Sequence, residues 1–176
     1  MTERLVAIDP SLTGTCLFDG EEYVHIKDPG SPDRPFERLE VILEEVTKFV
    51  WDAERAEPSC TGIIIEAPAF SRAQHAHAKG ELHGVLRWEL VRAMGIPVWL
   101  MLPNLRAKYA TGKGNAAKPA VVSATSARTG IVFPTDDHCD AFLLWCAFAE
   151  MNSIATPMGT LPKSHRVAID NISPLV

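Results

Sequence analysis

The chain has 176 residues, of which 47% are hydrophobic and 22% charged, and its formal net charge is −5. A chain of this size and apolar content forms one folded domain with a substantial core, which excludes a wholly disordered protein. It has no apolar run of about 18 residues and no apolar segment behind a basic N-terminus, so we predict neither a membrane partner nor a secretory signal.

The chain opens with three predicted strands. An apolar run over residues 5–9 ends in an acid and is followed by a proline and a glycine that favour a turn. The runs 15–18 and 22–26 flank Asp19-Gly20, a pair typical of a tight hairpin. The second and third strands are therefore predicted to be antiparallel.

The middle of the chain alternates helices and strands. Apolar residues recur at helical spacing over 36–50, with Glu and Lys on the other face. The run 63–66 is fully apolar before it ends in an acid, which is typical of a central strand covered on both faces. A helix over 84–94 and a strand over 97–101 follow.

The last part of the chain is predicted to be helical. Residues 111–115 form a flexible turn, a helix continues through about residue 128, and a final strong helix covers 141–151. The tail is rich in proline, with a short helix predicted near 166–170.

The order of these elements predicts an α/β protein with a ribonuclease H-like mixed sheet, in which three antiparallel strands precede the parallel ones and helices flank the sheet. Residues 1–152 would form this ribonuclease H-like domain, and residues 153–176 a C-terminal extension packed on that domain or on a dimer.

Four carboxylates have informative positions. Asp9 and Glu66 each close a predicted strand, and Asp137 and Asp140 lie three residues apart at the start of the last helix. Acids at the carboxyl ends of adjacent strands emerge at one edge of a sheet, and residues at i and i+3 share a helix face. We therefore expect the four side chains to meet in one cleft.

Four carboxylates in one cleft would repel each other unless a cation is bound. Ligands that are all oxygen suit Mg²⁺, with Mn²⁺ as a substitute, rather than zinc. Two such metals per active site, about 4 Å apart, can activate a water and stabilise the leaving oxygen of a phosphodiester.

Taken singly, each acid has a simpler explanation, since acids often cap turns and Asp136 or Asp137 is a suitable helix N-cap. The set of four, in this order, favours the metal site.

The segment from residue 90 to residue 135 contains no Asp or Glu but six basic residues. A negative total charge can conceal one basic face, and the local potential is what meets phosphate, although a solvated surface is the simpler interpretation. Together with the loop after Glu66, this segment supplies the predicted DNA-binding side chains, which are Arg72, Lys79, Arg106, Lys108, Lys113 and Lys118.

Two further patterns limit the cofactors and the compartment. Gly112-Lys113-Gly114 is too short for a phosphate-binding loop, so no nucleotide cofactor is predicted. The cysteines have no zinc-ligand spacing and are predicted to be reduced, mostly buried thiols of a cytoplasmic protein. They are Cys16, Cys60, Cys139 and Cys146.

Four short motifs occur in a specific order, although none is specific alone. They are AIDPSLTGT at 7–15, IIEAPAF at 64–70, TGKGNAAK at 111–118 and DHCDA at 137–141. In this order they resemble the opening strand, the second acidic motif, the Gly-x-Gly turn and the Asp-x-x-Asp-Ala signature of the RuvC family of Holliday junction resolvases. The resemblance covers about residues 4–150.

The resemblance implies a ribonuclease H-like homodimer that cleaves four-way DNA junctions with divalent metals. Each subunit would nick one of two strands of the same polarity, with water attacking in line to leave a 5′-phosphate and a 3′-hydroxyl. Lys118 would stabilise charge at the scissile phosphate, and Phe70 would stack on a base at the junction centre. The short chain looks like a phage-type member, which would act in the host cytoplasm. The implied catalytic metal ligands are Asp9, Glu66, Asp137 and Asp140.

Two positions depart from the family pattern. Pro119 disfavours helical geometry at Lys118, which is therefore predicted to lie just before the helix. Asp136, Asp137 and His138 are three adjacent candidate ligands, of which the spacing to Asp140 favours Asp137, with His138 as an alternative.

Three other functions compete with junction resolution. A broader structure-selective nuclease would cut forks, flaps and other branched DNA with the same acids. A ribonuclease H acting on RNA–DNA hybrids shares the acids but fits the last two motifs less well. A catalytically silent DNA-binding or assembly module would be favoured by loss of an acid, and all four acids are present.

Overall fold

A mixed β-sheet is the centre of the fold. The computed structural model describes residues 3–31, 33–68, 76–93 and 95–175. Within these ranges the strands are β1 (Arg4–Asp9), β2 (Gly14–Phe18), β3 (Tyr23–Lys27), β4 (Cys60–Glu66), β5 (Val98–Met101) and β6 (Ser173–Pro174). They lie in the order β3-β2-β1-β4-β5-β6, with β1 to β3 antiparallel, β1, β4 and β5 parallel, and β6 antiparallel to β5. The predicted mixed sheet, with three antiparallel strands before the parallel ones, is confirmed, and β6 was not predicted.

Helices cover both faces of the sheet. They are α1 (Pro35–Arg55), α2 (Ala76–Ala93), α3 (Pro103–Thr111), α4 (Lys118–Thr129), α5 (Asp136–Met151) and α6 (Lys163–Arg166), followed by a 3-10 turn at Ile169–Asn171. Helices α1 and α2 pack on one face, and α5 packs on the other, with α3 and α4 beside it. No described helix is long and apolar enough to cross a membrane.

Strand alternation determines which side chains face α5. On β1, Val6 and Ile8 point into the core under α1 and α2, whereas Leu5 and Ala7 point toward α5. Because successive side chains on a strand point to opposite faces, the acid that follows Ile8 emerges on the α5 side. The same parity holds on β4, where Ile64 faces α5.

Helix α3 was missed by the sequence analysis, which predicted no element between Pro103 and the turn at 111–115, and that turn is observed between α3 and α4. Pro103 occupies its first turn, where the missing N–H costs nothing, and Gly112 closes it in the left-handed region with φ 78°. The N–H of Gly112 donates to the carbonyl oxygen of Lys108 at 2.7 Å. Proline and glycine at these two ends are a helix signal, and α3 carries Arg106 into the site described below.

Helix α5 begins at Asp136, five residues before the predicted start at residue 141. Its N-cap is Thr135, whose side-chain oxygen accepts a hydrogen bond from the N–H of His138 at 3.4 Å. The suggestion that Asp136 or Asp137 is the N-cap is therefore wrong, and both carboxylates are free for other contacts. Helix α2 also begins earlier than predicted, at Ala76 rather than residue 84.

The C-terminal tail packs on the rest of the chain. Leu161 and Ala168 are buried in the core under α5, and the N–H of Leu175 donates to the carbonyl oxygen of Val98 at 2.8 Å. The short helix predicted near 166–170 is observed as α6 and the 3-10 turn that follows. The division of the chain at residue 152 stays a prediction.

Candidate active site

Two buried acids lie at the ends of adjacent parallel strands. Asp9 is the last residue of β1 and Glu66 the last of β4, and both strands run in the same direction. Both side chains emerge on the α5 side of the sheet and lie within hydrogen-bonding reach of each other. The sequence prediction that these two acids meet at one edge agrees with this geometry.

Asp9 is in a setting that disfavours its charged form. Burial raises its pKa well above the ordinary value, and the negative charge of Glu66 and a hydrogen bond with Glu66 raise it further, as does the charge of Asp137. The positive charge of Arg106 acts in the opposite direction. Asp9 and Glu66 together therefore need a proton or a cation between them.

The first turn of α5 brings two more acids to this edge. Asp140 is buried, and the side chain of Asp137 is about three-quarters buried. Because they are three residues apart, both lie on the helix face that is turned toward the strand ends. Asp136 belongs to the same turn but is directed outward, with a side chain that is 45% exposed.

A buried arginine lies among the acids. Arg106 is only 7% exposed, and its Nε donates to Oε1 of Glu66 at 2.6 Å. Its Nη1 forms an ion pair with Oδ1 of Asp140. The guanidinium thus joins an acid from the sheet to an acid from α5. Arg106 was predicted to bind DNA. The structure places it inside the carboxylate cluster, and its contact with DNA stays a prediction.

Lys118 lies at the rim of the cluster as the first residue of α4, with Pro119 in the first turn, so it does not precede the helix as predicted. Its side chain is 60% exposed, and its Nζ donates to Asp136 at 2.7 Å and lies 3.7 Å from Asp140. Partial burial alone would lower the pKa of Lys118, but the hydrogen bond and charge of Asp136 raise it above its ordinary value. Lys118 is therefore a protonated, accessible cation beside the acids.

His25 is a site residue that the sequence analysis missed. It lies on β3, and its Nε2 is 3.2 Å from Oδ2 of Asp137. Because β3 pairs with β2 at His25 and Cys16, strand alternation puts His25 on the same face as the acids. A histidine in a strand gives no motif by itself. The predicted hairpin, however, already indicates that His25 lies on the same face of the sheet as Asp9.

His138 serves the start of α5. Its Nδ1 is 2.8 Å from Oγ1 of Thr135, and its ring packs against Tyr23 and His25. Burial lowers the pKa of His138, and the neighbouring His25 lowers it further. Because these contacts occupy His138, they favour Asp137 over His138 as the side chain that is directed into the cluster.

The donors of the cluster suit Mg²⁺ in chemistry, since all are carboxylate oxygens. Within the described ranges, however, no three His, Cys, Asp or Glu side chains surround a single point as metal ligands do. Arg106 lies between Glu66 and Asp140, where it supplies the positive charge. The arrangement is that of a cation site whose cation is a guanidinium.

The comparisons with known proteins identify the fold. No family model matches the sequence, and no curated protein matches it. Solved structures of RuvC from Thermus thermophilus do match. One, in complex with a Holliday junction substrate, has a TM-score of 0.67 and 19% identity, covering 99% of this chain and 100% of that one. Another has a TM-score of 0.61 and 18% identity, covering 98% and 99%. The chain has the RuvC fold.

The RuvC fold confirms the predicted ribonuclease H-like architecture and gives the motif resemblance a structural basis. The motif segments 7–15 and 64–68 lie at the edge of the sheet where the acids meet, segment 111–118 leads into α4, and segment 137–141 lies in the first part of α5. The last two residues of the second motif lie outside the described residues. The likeness establishes the fold.

The remaining predicted DNA-binding residues are dispersed around this fold. Lys79 is exposed on α2, Lys108 is half-buried on α3, and Lys113 is exposed in the turn between α3 and α4. Phe70 and Arg72 lie outside the described residues. The four cysteines are free and buried, as predicted.

Proposed function

We propose that this chain is a metal-dependent endonuclease that resolves four-way DNA junctions by paired symmetric nicks. The observation that carries the proposal is the meeting of Asp9, Glu66, Asp137 and Asp140 at one sheet edge. The RuvC fold, found also in a structure bound to a Holliday junction substrate, supports the choice of branched DNA.

Two Mg²⁺ ions, for which Mn²⁺ can substitute, would be held by the four acids. When bound, the ions supply an activated water and stabilise the leaving oxygen of the phosphodiester. Lys118 has the exposure and charge to contact the scissile phosphate from the rim. His25 holds Asp137 through its Nε2, and the burial of Asp9 keeps bulk water away from one side of the cluster.

Paired nicks require two active sites, and we propose that two copies of the chain associate through α2. Leu82, Leu86 and Leu90 bury one face of this helix, whereas Trp88 and Val85 are exposed on another, Trp88 to 63%. Two large apolar side chains three residues apart share a helix face and favour a protein contact. Tryptophan is also enriched where interfaces gain most of their binding energy.

The deciding experiment is cleavage of an end-labelled four-way junction beside a matched linear duplex and a Y-fork, in Mg²⁺ and in Mn²⁺ at fixed salt. We expect the wild-type protein to make symmetric paired nicks in the junction. The cleavage rate of the Asp9→Asn and Glu66→Gln variants should be lower by several orders of magnitude. If the fork is cut as fast as the junction or faster, the proposed function changes from junction resolution to that of a broader nuclease for branched DNA. Full activity of either variant would remove the proposed mechanism.

A further inference from the structure

We propose that Arg106 is a built-in counter-cation that competes with divalent metal for the carboxylate cluster, and that DNA phosphate draws it out. The inference rests on the proposed metal site. It assigns Arg106 a regulatory role in metal loading, because the side chain must leave the cluster before the acids can hold metal.

The first argument is the identity of the contacted atoms. Arg106 donates to Oε1 of Glu66 and pairs with Oδ1 of Asp140. Both oxygens belong to carboxylates that are proposed to hold the metal. A carboxylate lone pair directed at a guanidinium N–H is not available to a metal ion, so the two cations exclude each other.

The second argument is charge. The cluster brings several carboxylates into a buried space, where an unpaired charge is strongly destabilising. Arg106 is the buried cation among the described residues there, because Lys118 lies at the exposed rim. Without metal, Arg106 therefore holds the strand ends and α5 together.

The third argument is that the competition cannot be relieved by deprotonation. A guanidinium keeps its charge throughout the usable pH range, so Arg106 must move rather than lose a proton. Its natural alternative partner is a phosphate, which accepts bidentate hydrogen bonds from arginine. DNA phosphate at the site would therefore take Arg106 from the acids and tighten metal binding, and metal would tighten DNA binding by the same factor.

The test is Mn²⁺ binding to the DNA-free protein, measured by titration calorimetry for wild type, Arg106→Gln and Arg55→Gln. Arg55 is exposed at the end of α1, which packs on the opposite face of the sheet, so this control removes the same charge away from the cluster. We expect Arg106→Gln to bind Mn²⁺ at least about tenfold more tightly than wild type, and Arg55→Gln to match wild type. In EDTA, Arg106→Gln should melt at a lower temperature than wild type, and Mn²⁺ should raise its melting temperature more.

Three results would overturn the inference. Equal or weaker Mn²⁺ binding by folded Arg106→Gln would show that the arginine does not compete, while leaving the metal site intact. Should that variant not fold, Arg106→Lys takes its place, since an ammonium lacks the planar fork of donors through which the guanidinium contacts Glu66 and Asp140 and should compete less well. Unchanged Mn²⁺ affinity would count against competition. No Mn²⁺ binding by any of these proteins would overturn the proposed metal site together with this inference.

Discussion

His25 and Asp137 face each other across the gap between β3 and the first turn of α5, with 3.2 Å between Nε2 and Oδ2. Gly14 makes this approach possible, because a Cβ at that position would lie 2.7 Å from Oδ2 of Asp137 and 3.1 Å from Nε2 of His25. A glycine, a histidine and an acid from three elements are thus fitted to one another. His25 is a positioning residue for Asp137.

We expect His25→Ala to slow single-turnover junction cleavage by about 10- to 100-fold, the usual effect of removing a partner that orients a metal ligand. Without His25, Asp137 can rotate away from the other acids. DNA affinity should remain close to that of wild type. His25→Gln, whose amide can still reach Asp137, should recover part of the rate. A His25→Ala enzyme with the full rate would remove the positioning role.

Substitutions of Asp136 and of Asp137 should differ clearly in their effect on the cleavage rate. Asp137→Asn removes an acid of the cluster and should reduce the cleavage rate by orders of magnitude. Asp136→Asn, whose exposed side chain contacts Lys118, should cost no more than about tenfold. Single-turnover rates of the two variants, measured on one junction, decide the assignment. The reverse order would make Asp136 the metal ligand.

Lys118→Ala should impair cleavage more than DNA binding. We expect the single-turnover rate to fall by about 100-fold and the Kd for the junction to change only about threefold, because Lys118 acts on charge that develops at the scissile phosphate. Lys48→Ala, which removes a lysine of α1 on the other face of the sheet, is the matched control. Equal losses in rate and binding for Lys118→Ala would indicate a simple backbone contact.

His83 gives the folded protein an acid-sensitive region. Burial lowers its pKa from 6.5 to about 4, with the charges of Arg87 and Lys79 contributing, and its Nδ1 has no hydrogen-bond partner among the described residues. The unfolded chain therefore takes up this proton at a higher pH than the folded one does. Neutral, buried His83 therefore contributes up to about 3 kcal/mol to the free energy of unfolding. This contribution is fully present above about pH 6.5 and is lost as the pH falls toward 4.

Urea unfolding at pH 7, 5.5 and 4.5 tests this effect. In His83→Leu the loss of unfolding free energy between pH 7 and 4.5 should be smaller than in wild type, while other titrating groups cancel in the comparison. The same pH dependence in both proteins would show that His83 does not control acid stability.

Trp88→Glu should convert a dimer into a monomer. A charge on the exposed face of α2 cannot be buried against a second copy without a large desolvation cost. Light scattering coupled to size exclusion reports the mass, and the cleavage assay should then show single rather than paired nicks. Val132→Glu, at a site that is 89% exposed and outside α2, is the control. A wild-type monomer would exclude the proposed interface.

The sequence alone determined the first five strands along the chain, the two strand-ending acids and the Asp-x-x-Asp pair, because each depends on local patterns. Apolar runs, the Asp19-Gly20 hairpin and i, i+3 spacing act over a few residues and survive in any packing. Helix α3 also left a local signal in Pro103 and Gly112 that could have been read.

Only the tertiary structure decided which other side chains join those acids. Arg106 is one of several basic residues in an acid-free segment, and its place between Glu66 and Asp140 depends on how α3 packs beside α5. His25 meets Asp137 across 112 positions of sequence. Such contacts follow from the packing of whole elements, which no short sequence pattern contains. By contrast, the alternation of side chains along a strand and the spacing of residues on one helix face are properties of the segment itself.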